Sequence, residues 1–216
     1  MLALYGHPFS SYTWKALIAL YATGLRFDFR VVGPDQPEHN AVVQSAGPLG
    51  KFPVLEDGSA LVFEATAIIE HLAVHHAAAR ALIPADAAAA LPVRLLDRVF
   101  DNYVMASMQD VVNEHLRDSA NPDPARVAEA RARLERTYAW LEGWLASYPA
   151  GGEVTLIECA AAPSLFYADW VHPIPDDHPR LKAWRAHLLA LPPVSRCVED
   201  ARPWRDFFPL GAPDRD

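Results

Sequence analysis

The chain has 216 residues, 51% of them apolar, and a formal net charge of −8 at neutral pH. That length gives one large domain or two small ones with a packed core, and the negative balance opposes a phosphate backbone, so no nucleic-acid partner is expected. No apolar stretch approaches the roughly 18 residues needed to cross a bilayer, and no basic segment precedes an apolar one at the N-terminus, so the expectation is a soluble, cytoplasmic protein with no membrane partner.

Leu2 to Tyr5 reads as a short strand that runs into the turn Gly6-His7-Pro8. Ser10 and Ser11 stand side by side before an apolar-periodic run, where a hydroxyl suits a helix N-cap. The helix predicted over Ser11 to Thr23 carries Trp14, Leu17, Ile18 and Tyr21 on one side, and Phe27 to Val32 reads as a second strand. Strand, helix, strand implies a parallel pair with a right-handed crossover. After an irregular or helical stretch rich in Gly and Pro, PVLEDGSALVF forms two apolar runs around Asp57-Gly58, a hairpin signal. A helix starting near Ala65 closes this unit, giving the order β-α-β, linker, β-β-α over residues 1–77.

Residues 78–86 read as a linker, and residues 87–216 carry no convincing strand. Helices are predicted over Ala87–Leu116, Pro124–Tyr148, Leu156–Trp170 and Pro179–Leu191. In the second of these Val127, Ala130, Leu134, Tyr138, Leu141 and Leu145 recur at spacings of three and four, one buried stripe. The arginine-rich run RVAEARARLER within it is laced with glutamate and alanine and reads as a solvated helix face. Thr155 and Glu158 have capping-box spacing, with Val154 and Cys159 at the hydrophobic-staple positions. The fold class is therefore α/β followed by an all-α bundle.

Cys159 and Cys197 lie far apart outside any CxxC pair, so they form neither a redox motif nor a disulfide framework and read as small hydrophobes. His71 and His75, four apart on a predicted helix, share a face. A catalytic zinc site needs a third protein ligand, and no HExxH or nearby cysteine supplies one, so they read as surface histidines and no metal is expected.

Four segments in order, YGHPFSSYTWKALIAL, GPLGKFPVL, FEATAIIEHL and TLIECAAAPSLFYADW, resemble the cytosolic glutathione transferases, in particular bacterial serine-type members, with features of the zeta and theta branches. The last segment departs in having Glu158 where an aspartate is usual. The resemblance implies a thioredoxin-like N-terminal domain followed by a helical domain, with glutathione as cosubstrate. It places Ser10 at the reactive position, with Ser11 the alternative, and leaves Ser11 as the expected helix cap.

A free thiol has a pKa of about 8.5 and only its thiolate is a good nucleophile. Lowering that pKa by about two units takes roughly 2.7 kcal/mol of preferential anion stabilisation. A hydroxyl donating to a charged acceptor contributes about 1.5–3 kcal/mol, and a helix N-terminus about 0.3–1 kcal/mol. The two sources suffice in magnitude.

The resemblance further implies a cis-proline at Pro53, with the backbone of Phe52 pairing with glutathione as an added strand would. Lys51 is positioned to supply charge to the glycine carboxylate. Glu64 and Ala65 occupy the place where the family usually has Glu-Ser or Gln-Ser and holds the γ-glutamyl carboxylate; here the hydroxyl is missing and Thr66 comes one residue late. Tyr12, Tyr103, Ser107 and Met108 are the expected lining for a small hydrophobic electrophile. Asp97 and Asp101 are expected to face a partner subunit in a homodimer. The competing readings are a glutathione-dependent isomerase of the maleylacetoacetate type, suggested by Ser10-Ser11-x-x-Trp14, and a non-catalytic ligand- or protein-binding member.

Overall fold

The computed structural model describes residues 1–149, 151 and 153–216. Four strands, β1 (Leu2–Gly6), β2 (Phe27–Val31), β3 (Val54–Asp57) and β4 (Ala60–Phe63), form one sheet in the order β2-β1-β3-β4. The β1 and β2 strands run parallel, with Leu2 opposite Phe27, whereas β3 is antiparallel to both β1 and β4. Helix α1 (Ser11–Thr23) is the crossover between the parallel strands, α2 (Pro37–Ala46) fills the stretch read as irregular or helical, and α3 (Ala65–His75) follows the hairpin. The thioredoxin-like order is thus present.

Local chemistry explains where these elements begin and end. Gly24, in the left-handed region at φ 66°, ends α1, a conformation that costs glycine little. Pro37 sits in the first turn of α2, where its missing N–H would have had no partner.

The helical part continues with α4 (Ala87–Val99), a π-helical turn at Phe100–Met105, α5 (Ala106–Arg117), α6 (Pro124–Trp144), α7 (Leu156–Val171), α8 (Pro179–Ala190) and α9 (Pro192–Ala201). One long helix was expected over Ala87–Leu116; the π-helical turn divides it, a feature that apolar periodicity does not register. The last helix, α9, and the 3₁₀ turn after it (Arg202–Phe207) extend the bundle beyond the elements read from the sequence.

Helix α7 is buried along its whole length, as an apolar composition on every face requires. Its start is the capping box read from the sequence: the Thr155 N–H donates to Glu158 Oε2 at 2.9 Å and the Thr155 side chain caps the helix in return. Tyr148 adds a hydrogen bond to Glu158 Oε1 at 2.6 Å. Cys159 and Cys197 are free and fully buried, and burial raises both thiols well above their ordinary value. A continuous apolar core joins the sheet layer to the bundle, because α1 presents Trp14, Leu17 and Leu20 among the residues of α7 and α9.

Candidate active site

The loop between β1 and α1 is held tightly. A β-carbon on Gly6 would come within 2.5 Å of Thr13 Cγ2, so only glycine admits this approach of strand to helix. The Ser10 N–H donates to the His7 carbonyl at 3.0 Å, and the Ser10 carbonyl accepts from Trp14 N–H at 2.9 Å.

Ser10, and not Ser11 as expected, is the N-cap: its Oγ accepts from the Thr13 N–H at 3.3 Å. Ser11 is the first residue inside α1 and is buried. The reason is register, since Ser10 keeps an extended backbone (φ −93°, ψ 124°) while helical geometry begins at Ser11. Capping uses one lone pair of a hydroxyl that also has a proton to donate. The two roles assigned to separate serines are therefore compatible in one.

A cavity of ≈ 570 Å³ opens beside Ser10. Tyr12, Lys51 and Phe52 line it from the sheet side, Met108 and Val112 from α5, and Tyr167 from α7. The Tyr167 hydroxyl donates to the Phe9 carbonyl at 2.9 Å and fixes that side of the loop. Burial, with Asp101 and Glu64 nearby, pushes the Tyr12 phenol up to about 12. It stays protonated near neutral pH and offers only a neutral hydrogen-bond donor. Tyr5 lies within β1, bonded to Glu56 at 2.8 Å and to Arg30, and takes no part in this cavity.

The Phe52–Pro53 peptide is cis. Phe52 precedes the β3 register, which begins with Val54 opposite Phe63, so its peptide groups lie outside the paired ladder. Glu64 holds φ at 68°, the only described non-glycine residue with a positive φ, and caps α3 without any side-chain hydrogen bond. A bulky residue in this region carries strain. The first N–H groups of α3 are thus left without a side-chain acceptor, as anion binding at a helix start requires.

Behind Ala65 lies a buried ionic cluster. Lys15, fully buried, places its ammonium 2.5 Å from Asp97 Oδ1, 2.7 Å from Asp101 Oδ2 and 2.8 Å from the Thr66 hydroxyl. Arg98 reaches the same carboxylates, at 2.5 Å from Asp97 Oδ2 and 2.9 Å from Asp101 Oδ2, and also touches Thr66. Two cations balance two anions. Burial nevertheless raises the Asp101 carboxyl, against the pull of Lys15. Asp97 and Asp101 were expected to face a partner subunit; they point inward, because a lysine buried on α1 needs them.

Two expected pocket residues lie elsewhere. Tyr103 and Ser107 line a separate cavity of ≈ 470 Å³ with Leu95, Arg133 and Trp140. Residues four apart share a helix face, so Tyr103 and Ser107 go together, while Met108 and Val112 face roughly 100° away. The reading from sequence also missed the C-terminal contribution to the Ser10 cavity, where Phe207, Phe208 and Pro209 form part of the wall. His7 lies edge-on to Trp204, with ring centroids 4.7 Å apart. The signal available was the aromatic run Trp204-Arg205-Asp206-Phe207-Phe208.

A serine that caps α1 beside the cavity, a cis-proline loop and an α3 start with no side-chain cap bond invite comparison with known proteins. Residues 4–80 match the family model for the glutathione S-transferase N-terminal domain, and residues 124–187 that for the C-terminal domain. Glutathione S-transferase 3 of Zea mays is 32% identical over 214 residues, covering 91% of this chain and 93% of its own. The chain belongs to the glutathione S-transferase family. Glutathione S-transferase PARB of Nicotiana tabacum is 26% identical over 212 residues, covering 88% of this transferase and 94% of itself. A glutathione transferase family member from Pseudomonas fluorescens Pf-5, solved with bound glutathione, superposes with a TM-score of 0.75 at 26% identity, covering 91% of this transferase and 98% of its own chain. The chain is a glutathione transferase.

Proposed function

We propose that this transferase is serine-type: it binds glutathione with its sulfur beside Ser10 and conjugates the thiolate to a small apolar electrophile. The observation that carries this reading is the Ser10 hydroxyl, whose lone pair is engaged by the Thr13 N–H while its proton has no acceptor among the described residues. That proton is available to the sulfur, and the α1 N-terminus adds its positive end. The sulfur lone pair attacks the electrophilic carbon, the leaving group departs with its electron pair, and a thioether remains.

The peptide part of glutathione is held along Phe52 and Pro53, its glycine carboxylate near Lys51, and its γ-glutamyl carboxylate at the N–H groups that follow Glu64. Met108, Val112 and Phe208 supply an apolar wall for the electrophile. An activated aryl halide is a suitable probe. Its conjugation should be lost in large part in Ser10→Ala with the fold retained, whereas an unchanged rate would favour the non-catalytic reading.

A cytoplasmic homodimer completes the proposal. Leu91, Leu95, Tyr103 and Trp140 are exposed apolar side chains on α4, the π-helical turn and α6, and three of them border the second cavity. A second copy covering this face would remove them from water. Light scattering of the parent and of Leu95→Glu tests this: the parent should have twice the chain mass and the variant one chain mass, and a monomeric parent would contradict it.

A further inference from the structure

We propose that Asp57, His71 and His76 form a binding site for a divalent metal ion of the Zn²⁺ type, at the end of the sheet opposite Ser10. The three ligands come from three places in the chain. Asp57 ends β3, His71 lies in the second half of α3, and His76 is the C-cap of that helix. Asp57 pairs with Leu2, at the start of β1, whereas the Ser10 loop follows its other end.

His71 Nε2 lies 3.0 Å and His76 Nε2 2.8 Å from the same oxygen, Asp57 Oδ2. The three ligand atoms all fall within 4.8 Å of one another. Zinc takes imidazole nitrogen and carboxylate oxygen at about 2.0–2.2 Å, which puts neighbouring ligand atoms on a tetrahedron about 3.3–3.5 Å apart. Lengthening both imidazole–carboxylate contacts by roughly half an ångström reaches that spacing on the two edges that meet at Asp57. Two imidazoles and one carboxylate also suit Zn²⁺, Co²⁺, Ni²⁺ or Cu²⁺ better than Mg²⁺ or Ca²⁺, which prefer all-oxygen shells.

Helical spacing alone would pair His71 with His75. The structure pairs it with His76, because the backbone there has left the helix (φ −120°, ψ 116°). The His75 ring packs tilted against His71, with centroids 4.4 Å apart and planes at 42°, and stays outside the converging set. The three ligand side chains are 16–25% exposed, which leaves them open to an ion from solvent and still ordered by their contacts.

Without metal both imidazoles donate Nε2–H to the carboxylate. A metal ion takes the Nε2 lone pair of each ring, so the proton held in that hydrogen bond must leave Nε2 as the ion enters. The ion would tie the hairpin to the end of α3, and binding to the native state alone raises stability. The site is a structural clamp and leaves the Ser10 chemistry untouched.

The test titrates metal-stripped full-length protein with Zn²⁺ in glutathione-free buffer, using calorimetry, with Co²⁺ absorption as a second reporter. His71→Gln and His76→Gln keep an amide donor to Asp57 and remove the imidazole; His75→Gln is the control. The expected result is about one Zn²⁺ per chain, an affinity lowered by about tenfold or more in each ligand variant, none lost in His75→Gln, and a Tm raised by Zn²⁺ in the parent. Should a variant fail to fold, imidazole nitrogen resonances of the parent decide, since His71 and His76 must both shift on Zn²⁺ addition. Absence of saturable binding by the parent, binding retained in the double glutamine variant, or unshifted His71 and His76 resonances would overturn the proposal. Both cysteines are buried and offer the ion no competing thiolate.

Discussion

The Lys15 ammonium donates to the Thr66 hydroxyl at 2.8 Å. That bond, with those to Asp97 and Arg98, turns the Thr66 side chain into the protein. It therefore cannot take over the role of the serine hydroxyl absent at Ala65. Ala65→Ser restores a donor at the start of α3, and a hydrogen bond to a charged group is worth about 1.5–3 kcal/mol. The KM for glutathione should fall by about tenfold or more, with the electrophile KM unchanged. Steady-state kinetics with glutathione varied checks this, and an unchanged KM would show that the γ-glutamyl group is held elsewhere.

The same cluster sets a stability requirement. Removing the ammonium in Lys15→Met leaves two carboxylates in the interior with Arg98 alone to balance them. Breaking a buried pair from one side costs about 3–5 kcal/mol, which urea unfolding measures directly. Adding Asp97→Leu to that variant should recover part of the loss. A single variant as stable as the parent would mean the cluster rearranges to admit water.

His7 supplies a pH dependence whose sign follows from its surroundings. Burial lowers its pKa from the ordinary 6.5, and its Nδ1 accepts from the Phe9 N–H at 3.1 Å, which requires an unprotonated nitrogen. The unfolded chain takes up this proton first. Stability is fully present above pH 6.5 and falls as pH drops through the window between 6.5 and the lower native value. His7→Gln keeps an acceptor for Phe9 and should flatten the decline of Tm with falling pH, as calorimetric scans at several pH values will read. An identical decline in parent and variant would assign it to other groups.

The N-terminal unit was legible because it rests on local signals: alternating apolar strands, the Asp57-Gly58 turn and serines before an apolar helix. Thr155 and Glu158 were equally readable, since a capping box has a fixed spacing. The partners of Lys15 were hidden because they lie 51 and 86 residues away, and a lysine among apolar neighbours does not announce what balances it. Ser10 and Ser11 could not be ranked as caps by spacing, as their assignment turns on a one-residue register. Tyr103 and Met108 went into one pocket on helix membership alone, although five residues place them on different faces. Phe207 and Phe208 were missed because no apolar periodicity marks a 3₁₀ turn of six residues.

The most direct test of the central claim is the ultraviolet difference absorption of glutathione thiolate in the presence of excess protein, titrated through pH. The account predicts that the bound thiol ionises about two units below its free value of about 8.5, and that Ser10→Ala returns most of that shift while glutathione still binds. A thiolate signal that first appears near the free value, or one that Ser10→Ala leaves unaltered, would contradict activation by Ser10.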